Sequence, residues 1–326
     1  MLPLNSKSMN FLATDWAAKW ARYSPDKIAL KEYDTQRTLS YAELNRKGSS
    51  LAAYFQQQGL KKGDRIGVIA EYSLEFILVF VAAQKSGMII VPLNYRLTSA
   101  ELDYMLKDAE PAMLIYQDDF GALIQACPSF ASIPRTLKMV DLGEYSAKES
   151  ISFSSCHLQA DDPIFILYTS GTTGFPKGSI YTHGMLFWNS INTAMSLLIN
   201  TESRTVNFMP PFHTGGWNVL LTPLWHHGGY VCLLKAFDAD QVLEALEEEQ
   251  ATLCMAVPTM LGMLKDGKGF AEANLSRLHY MIVGGEAMPI PLIEVWQEKG
   301  IAIRQGFGMT EVGPNLFSLH QRDAIR

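Results

Sequence analysis

A ten-residue stretch at 168–177, YTSGTTGFPK, concentrates side chains that could hold an anion. Gly171 and Gly174 let backbone N–H groups turn towards an anion without a Cβ in the way, and Lys177 adds a positive charge. The hydroxyl donors of the stretch are Thr169, Ser170, Thr172 and Thr173. An apolar run at 164–168 precedes it, and open α/β sheets bind ligands at the carboxyl ends of their strands. The stretch therefore predicts a loop that binds phosphate.

The spacing excludes the commonest phosphate loop. A Walker A motif requires G-x-x-x-x-G-K-[ST]. Counted from Gly171 the sixth position is Pro176, and counted from Gly174 it is Ile180. The sequence also contains neither H-E-x-x-H nor G-x-S-x-G, so the motifs of zinc hydrolases and of α/β-hydrolases are missing.

The complete stretch YTSGTTGFPKGS resembles the phosphate loop of the adenylate-forming enzymes, a family that includes acyl-CoA synthetases, luciferases and nonribosomal-peptide adenylation domains. The flanking sequence is similar as well, in LSYAELNRKGSSLAAYFQQQGLKKGDRIGVIAEYS and AAQKSGMIIVPLNYRLTSAEL. The likeness runs from about residue 10 to the last residue. It implies that the loop from Thr169 to Gly174 holds the phosphates of ATP, with Lys177 as a catalytic cation.

GFGMTE, at 306–311, resembles the family's Y-G-x-T-E motif, with Phe307 in place of the tyrosine. The resemblance implies that Thr310 contacts the α-phosphate, that Glu311 ligates Mg²⁺, and that Phe307 stacks on adenine. The chemistry agrees, because a hard cation prefers carboxylate oxygen and a hydroxyl can bond a non-bridging phosphate oxygen. The nucleotide-binding residues implied by this motif are Gly306, Phe307, Gly308, Met309 and Thr310.

Two more segments resemble parts of the same family. VGGEAMP, at 283–289, is similar to its adenine-side segment. The residues implied there are Gly284, Gly285, Glu286 and Ala287. MPPFHTGGWN, at 209–218, is similar to the segment that borders the acyl site. This likeness implies that His213 lies near the carboxylate of the acid and that Trp217 forms a wall of the acyl tunnel, although a lone tryptophan most often lies in the core.

The reaction that the resemblance implies has two steps and uses ATP, Mg²⁺ and coenzyme A. A carboxylate attacks the α-phosphorus of MgATP, giving acyl-adenylate and pyrophosphate, and the thiol of coenzyme A then takes the acyl group and releases AMP. The carboxylate is already a nucleophile, so the protein would act by positioning and charge stabilisation. We expect a fatty acid, because PPFHTGGWNVLLTPLWHHGG resembles fatty-acyl ligases more than amino-acid activators. An aromatic acid stays open.

The sequence ends at HQRDAIR, residues 320–326. Members of the family continue past their T-E motif with a ribose-binding aspartate, a hinge and a C-terminal domain that carries a catalytic lysine. We therefore expect residues 1–326 to be a truncated N-terminal domain that lacks the lid needed for full activity. Two alternatives remain: an adenylation module that transfers the acyl group to a carrier protein, and a nucleotide-binding remnant without catalysis.

The elements that would position these residues alternate between strand and helix. Seven nearly continuous apolar runs suit strands buried on both faces, at 65–70, 87–93, 112–116, 164–168, 252–258, 280–285 and 301–308. Four segments between them are predicted to be helices. Their starts or ends are marked by Ser40 with Glu43, Thr98 with Glu101, Asp238 with Gln241, and Gly300.

This alternation predicts an α/β fold. About ten strands are many for one open sheet, so we expect two packed, largely parallel sheets with flanking helices. The resemblance implies that these are arranged in αβαβα layers, as in the N-terminal domain of acyl-CoA synthetases, with the C-terminal part of the family fold absent. The approximate subdomains would be 50–195, with the first sheet and the phosphate loop, and 10–49 plus 205–320, with the second sheet.

The composition limits the partners of the protein. The net charge is −6 over 326 residues and no basic stripe occurs, so nucleic acid is not an expected partner. Four scattered cysteines are typical of buried thiols in a reducing compartment. We recognise no signal peptide, and the longest apolar run, 76–83, is shorter than the roughly 20 residues of a membrane helix. We expect a cytoplasmic protein without a transmembrane segment. Its oligomeric state stays open, including a homodimer.

Overall fold

The computed structural model describes residues 14–148, 153, 156–170 and 175–324. Within these residues the α-helices are α1 (Trp16–Tyr23), α2 (Tyr41–Gln57), α3 (Leu74–Ser86), α4 (Ser99–Ala109), α5 (Gly121–Gln125), α6 (Leu142–Ala147), α7 (His183–Leu197), α8 (Thr214–Asn218), α9 (Leu221–His226), α10 (Ala239–Glu248), α11 (Pro258–Asp266) and α12 (Ile290–Glu298). The strands are β1 (Ile28–Glu32), β2 (Thr38–Ser40), β3 (Arg65–Ile69), β4 (Ile89–Pro92), β5 (Met113–Tyr116), β6 (Thr136–Lys138), β7 (Pro163–Thr169), β8 (Lys177–Thr182), β9 (Arg204–Asn207), β10 (Tyr230–Leu233), β11 (Leu253–Ala256), β12 (Tyr280–Val283), β13 (Ala302–Phe307) and β14 (Phe317–Ser318). Short 3-10 helices occupy Asp118–Phe120, Pro128–Ser132, Met139–Asp141, Thr310–Val312 and Gln321–Asp323.

The first sheet has six strands in the order β6-β5-β3-β4-β7-β8. All neighbours are parallel except β7 and β8, which form an antiparallel hairpin. Its central strands are buried on both faces. In β3, Ile66 and Val68 belong to the main core, whereas Ile69 belongs to a second cluster that includes residues of α4 and α5. This two-sided burial explains why the strand sequences are continuously apolar rather than alternating.

Eight further strands form two four-stranded sheets, ordered β2-β1-β10-β9 and β11-β12-β13-β14. Neighbours are parallel except at the outer pairs, β1 with β2 and β13 with β14. The two sheets meet along β9 and β11, where the N–H of Thr252 donates to the carbonyl of Arg204 at 2.9 Å. The predicted α/β fold, with largely parallel sheets and flanking helices, is confirmed. The second predicted sheet consists of two sheets that adjoin at this edge.

The helices begin at the capping residues that the sequence showed. Ser40 and Glu43 form a reciprocal capping box at the start of α2, and Thr98 and Glu101 form another at the start of α4. Asp238 caps α10 through its side chain. Each cap accepts a hydrogen bond from a backbone N–H that the first helical turn leaves unpaired. The helices predicted at these positions are confirmed, and α12 also lies where expected.

The main core lies between the sheet layers. Helix α3 contains the longest apolar run and is buried along almost its whole length, because it contacts both β4 and β1. Among the described residues, no helix combines the length and the apolar character that crossing a membrane would need. All four cysteines are described and carry free thiols. Cys127, Cys232 and Cys254 are buried as predicted, whereas Cys156 is only partly buried.

Candidate functional site

The predicted phosphate loop joins the two strands of a β-hairpin. Strand β7 ends at Thr169 and β8 begins at Lys177, and these two residues are direct partners in the antiparallel register. The hairpin forms one edge of the six-stranded sheet. Ser170 directly follows the end of β7. The other predicted loop residues lie outside the described part of the chain: Gly171, Thr172, Thr173 and Gly174.

Two other predicted segments follow the ends of neighbouring parallel strands. Strand β12 ends at Val283 and leads into Gly284 and Gly285, and its parallel neighbour β13 ends at Phe307 and leads into 308–310. Parallel strands end at the same edge of a sheet, which is where α/β folds bind ligands. Gly285 has a φ of +87°, a backbone conformation that residues with a Cβ rarely adopt. The glycine at this position is therefore required by the turn.

The turn after β13 has no room for a side chain at Gly308. A Cβ there would lie 1.4 Å from the carbonyl oxygen of Pro314. The turn continues through Thr310 to Gly313, whose buried carbonyl accepts a 2.7 Å hydrogen bond from the hydroxyl of Tyr181. Because Tyr181 belongs to β8, this bond ties the turn to the hairpin that carries the phosphate loop.

Three adjoining cavities connect these segments. We call them the first cleft, of about 590 Å³, the central cavity, of about 300 Å³, and the outer cleft, of about 460 Å³. His213 and Thr310 line both the first cleft and the central cavity. Gly285 and residues 306–308 line both the central cavity and the outer cleft.

The predicted nucleotide-binding residues divide among these cavities. Thr169 and Ser170 line the first cleft together with the shared pair His213 and Thr310. The adenine-side residues line the central cavity or the outer cleft, and they are Gly284, Gly285, Glu286 and Ala287. Residues from four separate stretches of the sequence therefore converge on one connected surface.

Phe307 presents an open aromatic ring to this surface. Its side chain is 61% exposed and lines both the central cavity and the outer cleft. Its ring centroid lies 6.1 Å from that of Phe317, with the planes 29° apart. An exposed ring of this kind can stack on a planar base. The adenine contact expected of Phe307 stays a prediction.

His213 lies at the junction of the first cleft and the central cavity, at the start of α8. Although His213 keeps an exposed surface, its pKa is lowered, chiefly by desolvation where protein atoms surround the ring and secondly by the positive charge of Arg96. The imidazole is therefore neutral near pH 7, so one ring nitrogen donates and the other accepts. A neutral ring can form a hydrogen bond with a carboxylate. It does not form the ion pair that would make the carboxylate a weaker nucleophile.

Trp217 belongs to the core and not to the cavity surface, which corrects the expectation that it forms a wall of the acyl tunnel. Its side chain has 0% exposure, and it lines none of the three cavities just described. Its Nε1 donates to the carbonyl of Pro211 at 2.6 Å. Its ring packs against Phe76, Phe80 and Phe165. The tryptophan therefore anchors the 209–218 segment to the core.

Lys177 and Glu311 are exposed and line none of the three cavities. In the part of the chain that the structure describes, no three His, Cys, Asp or Glu side chains are grouped as metal ligands. A single carboxylate nevertheless fits a Mg²⁺ that arrives on a triphosphate, because phosphates and waters supply most of its oxygen ligands. The catalytic role of Lys177 and the metal-binding role of Glu311 stay predictions.

Sequence reasoning missed several residues that line the central cavity: Met209, Gly215, Met255, Ile282 and Asn315. None of these residue types signals chemistry alone. Met255 and Ile282 come together because β11 and β12 are parallel neighbours, and the other three residues lie outside the strands. The one usable signal was position, since Met209 and Gly215 belong to the segment 209–218 that was already singled out.

Comparisons with known proteins agree with this geometry. The family model described as AMP-binding enzyme matches residues 17–325. A feruloyl-CoA synthase from Amycolatopsis sp is 33% identical over 304 residues, which cover 93% of this chain and 60% of that protein. The long-chain-fatty-acid–CoA ligase FadD13 from Mycobacterium tuberculosis is 30% identical over 310 residues, which cover 94% of this chain and 61% of that protein.

Solved structures are similar in the same way. The N-terminal domain of FACL13 from Mycobacterium tuberculosis has a TM-score of 0.90 and 28% identity, covering 96% of this chain and 80% of that one. O-succinylbenzoate coenzyme A synthetase from Bacillus subtilis, in complex with ATP and magnesium ion, has a TM-score of 0.84 and 27% identity, covering 94% and 62%. The chain spans about 60% of the length of the curated relatives it matches. With the family model matching almost its whole length, this chain belongs to the AMP-binding enzyme family.

Proposed function

We propose that the three cavities bind ATP and a carboxylic acid, and that the chain serves the ATP-dependent activation of that acid as an acyl-adenylate, followed by thioester formation with coenzyme A. One observation carries the proposal: Thr310 and His213 stand where the cleft lined by the phosphate-loop residues opens into a largely apolar cavity. That junction is where an α-phosphate and a carboxylate would have to meet. The printed names of the relatives, which are CoA ligases and synthases, support the same reaction.

In this proposal the phosphates lie in the first cleft. The hydroxyls of Thr169 and Ser170 donate to phosphate oxygens, and Lys177 adds positive charge from the start of β8. Thr310 donates to the α-phosphate at the junction. Glu311 would hold Mg²⁺. When bound, the cation would neutralise part of the negative charge of the phosphates.

The first step needs no general base from the protein. An oxygen of the carboxylate forms a bond to the α-phosphorus, and the bond to the bridging oxygen breaks as pyrophosphate leaves with its electron pair. The two reactants are both anionic, so the protein contributes by holding them in line and by donating hydrogen bonds to the oxygens whose charge grows. A neutral His213 suits this junction, since it can orient the carboxylate by a hydrogen bond.

The part of the acid beyond its carboxylate is proposed to be largely apolar, because apolar side chains such as Met209, Met255 and Ile282 line the central cavity. The sequence favoured a fatty acid. The names of the relatives include feruloyl, long-chain fatty, 2-succinylbenzoate and indoleacetate ligases, so both aliphatic and aromatic acids fit the family.

Lys177→Met tests the nucleotide part of the proposal. We expect MgATP to bind the unchanged chain and the variant to lose affinity by about tenfold or more, because a charge-assisted hydrogen bond is removed. Calorimetry and thermal stabilisation by MgATP would measure this. Lys268→Met, another exposed lysine on a distant turn, is the matched control. Equal MgATP affinity for both variants would contradict the assignment of Lys177.

ATP–pyrophosphate exchange across a panel of carboxylic acids tests the chemical part. We expect exchange that depends on the acid and that falls in Thr310→Val. If MgATP stabilises the chain and no acid supports exchange, the chain binds nucleotide without activating an acid, which would contradict the proposal.

A further inference from the structure

Helix α7 presents an apolar face to solvent. Trp188, Met195 and Leu198 are 59%, 75% and 75% exposed, and the partly buried Ile191 lies between them. Counted from Trp188, the other three residues follow at spacings of three, seven and ten, which places all four along one face of the helix. We call these four residues the α7 stripe. An uncovered apolar face of this kind is typical of a surface that binds another segment.

The opposite face of α7 holds polar side chains in the protein interior. Asn189, Ser190 and Thr193 are 6%, 0% and 2% exposed. Nδ2 of Asn189 donates to the carbonyl of Asn218 at 2.7 Å, and the hydroxyl of Thr193 accepts from Nδ2 of Asn315 at 2.7 Å. These bonds fix the rotation of the helix about its axis, so α7 cannot turn its apolar face inward. The α7 stripe is therefore left for another segment to cover.

The α7 stripe fits a partner that is apolar and nearly uncharged. No Asp, Glu, Lys or Arg occurs between 178 and 201, so the helix carries no charged side chain along its whole length. A highly charged peptide or an anionic lipid surface would find no oppositely charged group on this helix. Contact with the stripe must therefore come from apolar surface.

The start of α1 lies close to the α7 stripe. Trp16, the first residue of α1, stacks on His226, with the ring centroids 4.4 Å apart. His226 also contacts α7, because the ring centroid of Phe187 lies 5.1 Å away and Oγ of Ser190 lies 2.9 Å from Nδ1. Ile191 is four residues after Phe187 and therefore lies on the same side of the helix. A chain that leads into α1 thus passes beside the stripe.

The chain before α1 is long enough to cover the stripe. Residues 1–13 lie outside the described part of the chain, and they join it at Thr14. The next residue is held in place, because Oδ2 of Asp15 lies 2.7 Å from Nζ of Lys85, whose side chain is 2% exposed. A segment of 13 residues reaches about 40 Å when extended. The stripe covers ten residues of helix, or about 15 Å.

The composition of this segment, MLPLNSKSMNFLA, matches the surface. It has one charged side chain, that of Lys7, and its large apolar residues are Met1, Leu2, Leu4, Met9, Phe11 and Leu12. We propose that residues 1–13 dock on the α7 stripe of the same chain and cover it. The docked segment then supports, from the outside, the helix that holds Asn315 in the wall of the central cavity. This docking does not depend on the proposed function.

Trypsin cleavage after Lys7 measures the docking. The native chain is treated briefly, the shortened product is followed by intact mass, and the rate is divided by that of a synthetic peptide of residues 1–14. Met195→Gln combined with Leu198→Asn should raise this relative rate about tenfold, because cleavage follows the population of the undocked segment. Both substitutions keep the approximate size of the side chain and remove its apolar character.

Two exposed apolar residues elsewhere provide the matched control. Met263 and Val140 are 55% and 71% exposed, and neither belongs to α7. Met263→Gln combined with Val140→Asn should leave the relative cleavage rate unchanged. If the α7 variant and this control are cleaved at the same relative rate, the docking is overturned.

Substitutions in the segment itself test the other side of the contact. Phe11→Ser combined with Leu12→Ser should also raise the cleavage rate, measured against a peptide with the same changes. In a chain that already carries Met195→Gln and Leu198→Asn, the two serines should add little, because the segment is already released. Effects that multiply would show that the two sites act independently, which contradicts the docking.

A photo-cross-link identifies what covers the stripe. p-Benzoylphenylalanine placed at Met195, in a mixture of isotopically labelled and unlabelled protein, should form its cross-link to residues 1–13 of the same chain. Cross-links that join a labelled chain to an unlabelled one would show that a second copy covers the stripe. That result, or a failure to capture residues 1–13, would overturn the proposal.

Discussion

Gly308 marks the residue in the site at which the backbone leaves least room. A Cβ added to Gly308 would lie 1.4 Å from the carbonyl oxygen of Pro314. Neither the backbone of Gly308 nor that of Pro314 can move without opening the turn that carries Thr310. We expect Gly308→Ala to lower the free energy of unfolding by about 3 kcal/mol, the upper part of the range for overpacking. Denaturant unfolding would measure the change.

A glycine with free space around it is the matched control for this prediction. Gly262 lies in α11, and a Cβ there would meet nothing within 4 Å. Gly262→Ala should leave stability unchanged or raise it by up to about 1 kcal/mol, because alanine favours the helix. Equal effects of the two substitutions would contradict the steric explanation.

Two buried histidines make the stability of the protein sensitive to acid. Burial lowers the pKa of His226 to about 3 and that of His183 to about 4. Both remain neutral in the folded chain while the unfolded chain takes up protons below about pH 6.5. Stability is therefore fully present above that pH and falls as the pH drops towards 4, by about 1.4 kcal/mol per pH unit for each histidine.

His226→Gln tests this dependence. We expect the fall in melting temperature between pH 7 and pH 5 to be smaller in the variant than in the unchanged protein, whatever its stability at pH 7. The exposed His279 provides the control, and His279→Gln should retain the full fall. The prediction is wrong if both variants and the unchanged protein show the same pH dependence.

Single residues could be predicted from the sequence where they form contiguous motifs. Thr169 and Ser170 were singled out because glycines and hydroxyls cluster within a few positions, and Thr310 because GFGMTE resembles a family motif. The structure places all three on one cleft, while their roles stay predictions. Asn315 and Met255 were missed because they meet only in three dimensions, from a turn and from strand β11. Trp217 shows the opposite failure, since its place in a motif suggested a cavity wall while its size and burial place it in the core.

At the scale of elements, the capping boxes are the clearest link between sequence and structure. The hydroxyl of Ser40 accepts from the N–H of Glu43, whose carboxylate in turn accepts from the N–H of Ser40 at 2.8 Å. Ser40→Ala should cost about 1 kcal/mol, because it leaves an N–H of α2 without a partner. Ser49→Ala, inside the same helix, should have almost no effect or stabilise slightly. Chemical denaturation of both variants would measure the difference, and similar losses would argue against the cap.

Four strands, β2, β6, β8 and β14, lack the sequence pattern that would have predicted them. Strands β2, β6 and β14 contain two or three residues each, too few to show a period. Strand β8, KGSIYT, is polar and edge-located, so it lacks the continuous apolar pattern of the central strands. Its pairing is set by the hairpin rather than by its composition.

The whole molecule depends on contacts that cross between layers. Trp217 follows β9 of one sheet, and its ring lies 5.3 Å from those of Phe165, in the six-stranded sheet, and Phe80, in α3. We expect Trp217→Ala to lower the free energy of unfolding by about 3–5 kcal/mol. Trp188 is 59% exposed on α7, and Trp188→Ala should change stability by no more than about 0.5 kcal/mol.

The same substitution tests whether the layers unfold together. Intrinsic fluorescence and circular dichroism should report one transition at the same denaturant concentration in the Trp217→Ala variant. Two separate transitions would show that the six-stranded sheet and the other two sheets are independent folding units. The division into subdomains at 50–195 and at 10–49 plus 205–320 stays a prediction, while the strands of the six-stranded sheet all lie between residues 65 and 182.

The hydrogen bond from Tyr181 to Gly313 limits how pieces of relatives can be recombined. It joins a hairpin at one place in the sequence to a turn that lies 132 residues further on. A chimera that takes residues 163–182 from a relative without a tyrosine at position 181 would bury the carbonyl of Gly313 without a donor, at a cost of about 1–3 kcal/mol. The hairpin and the turn are thus a single exchangeable unit, and grafts between relatives should transfer both or keep both.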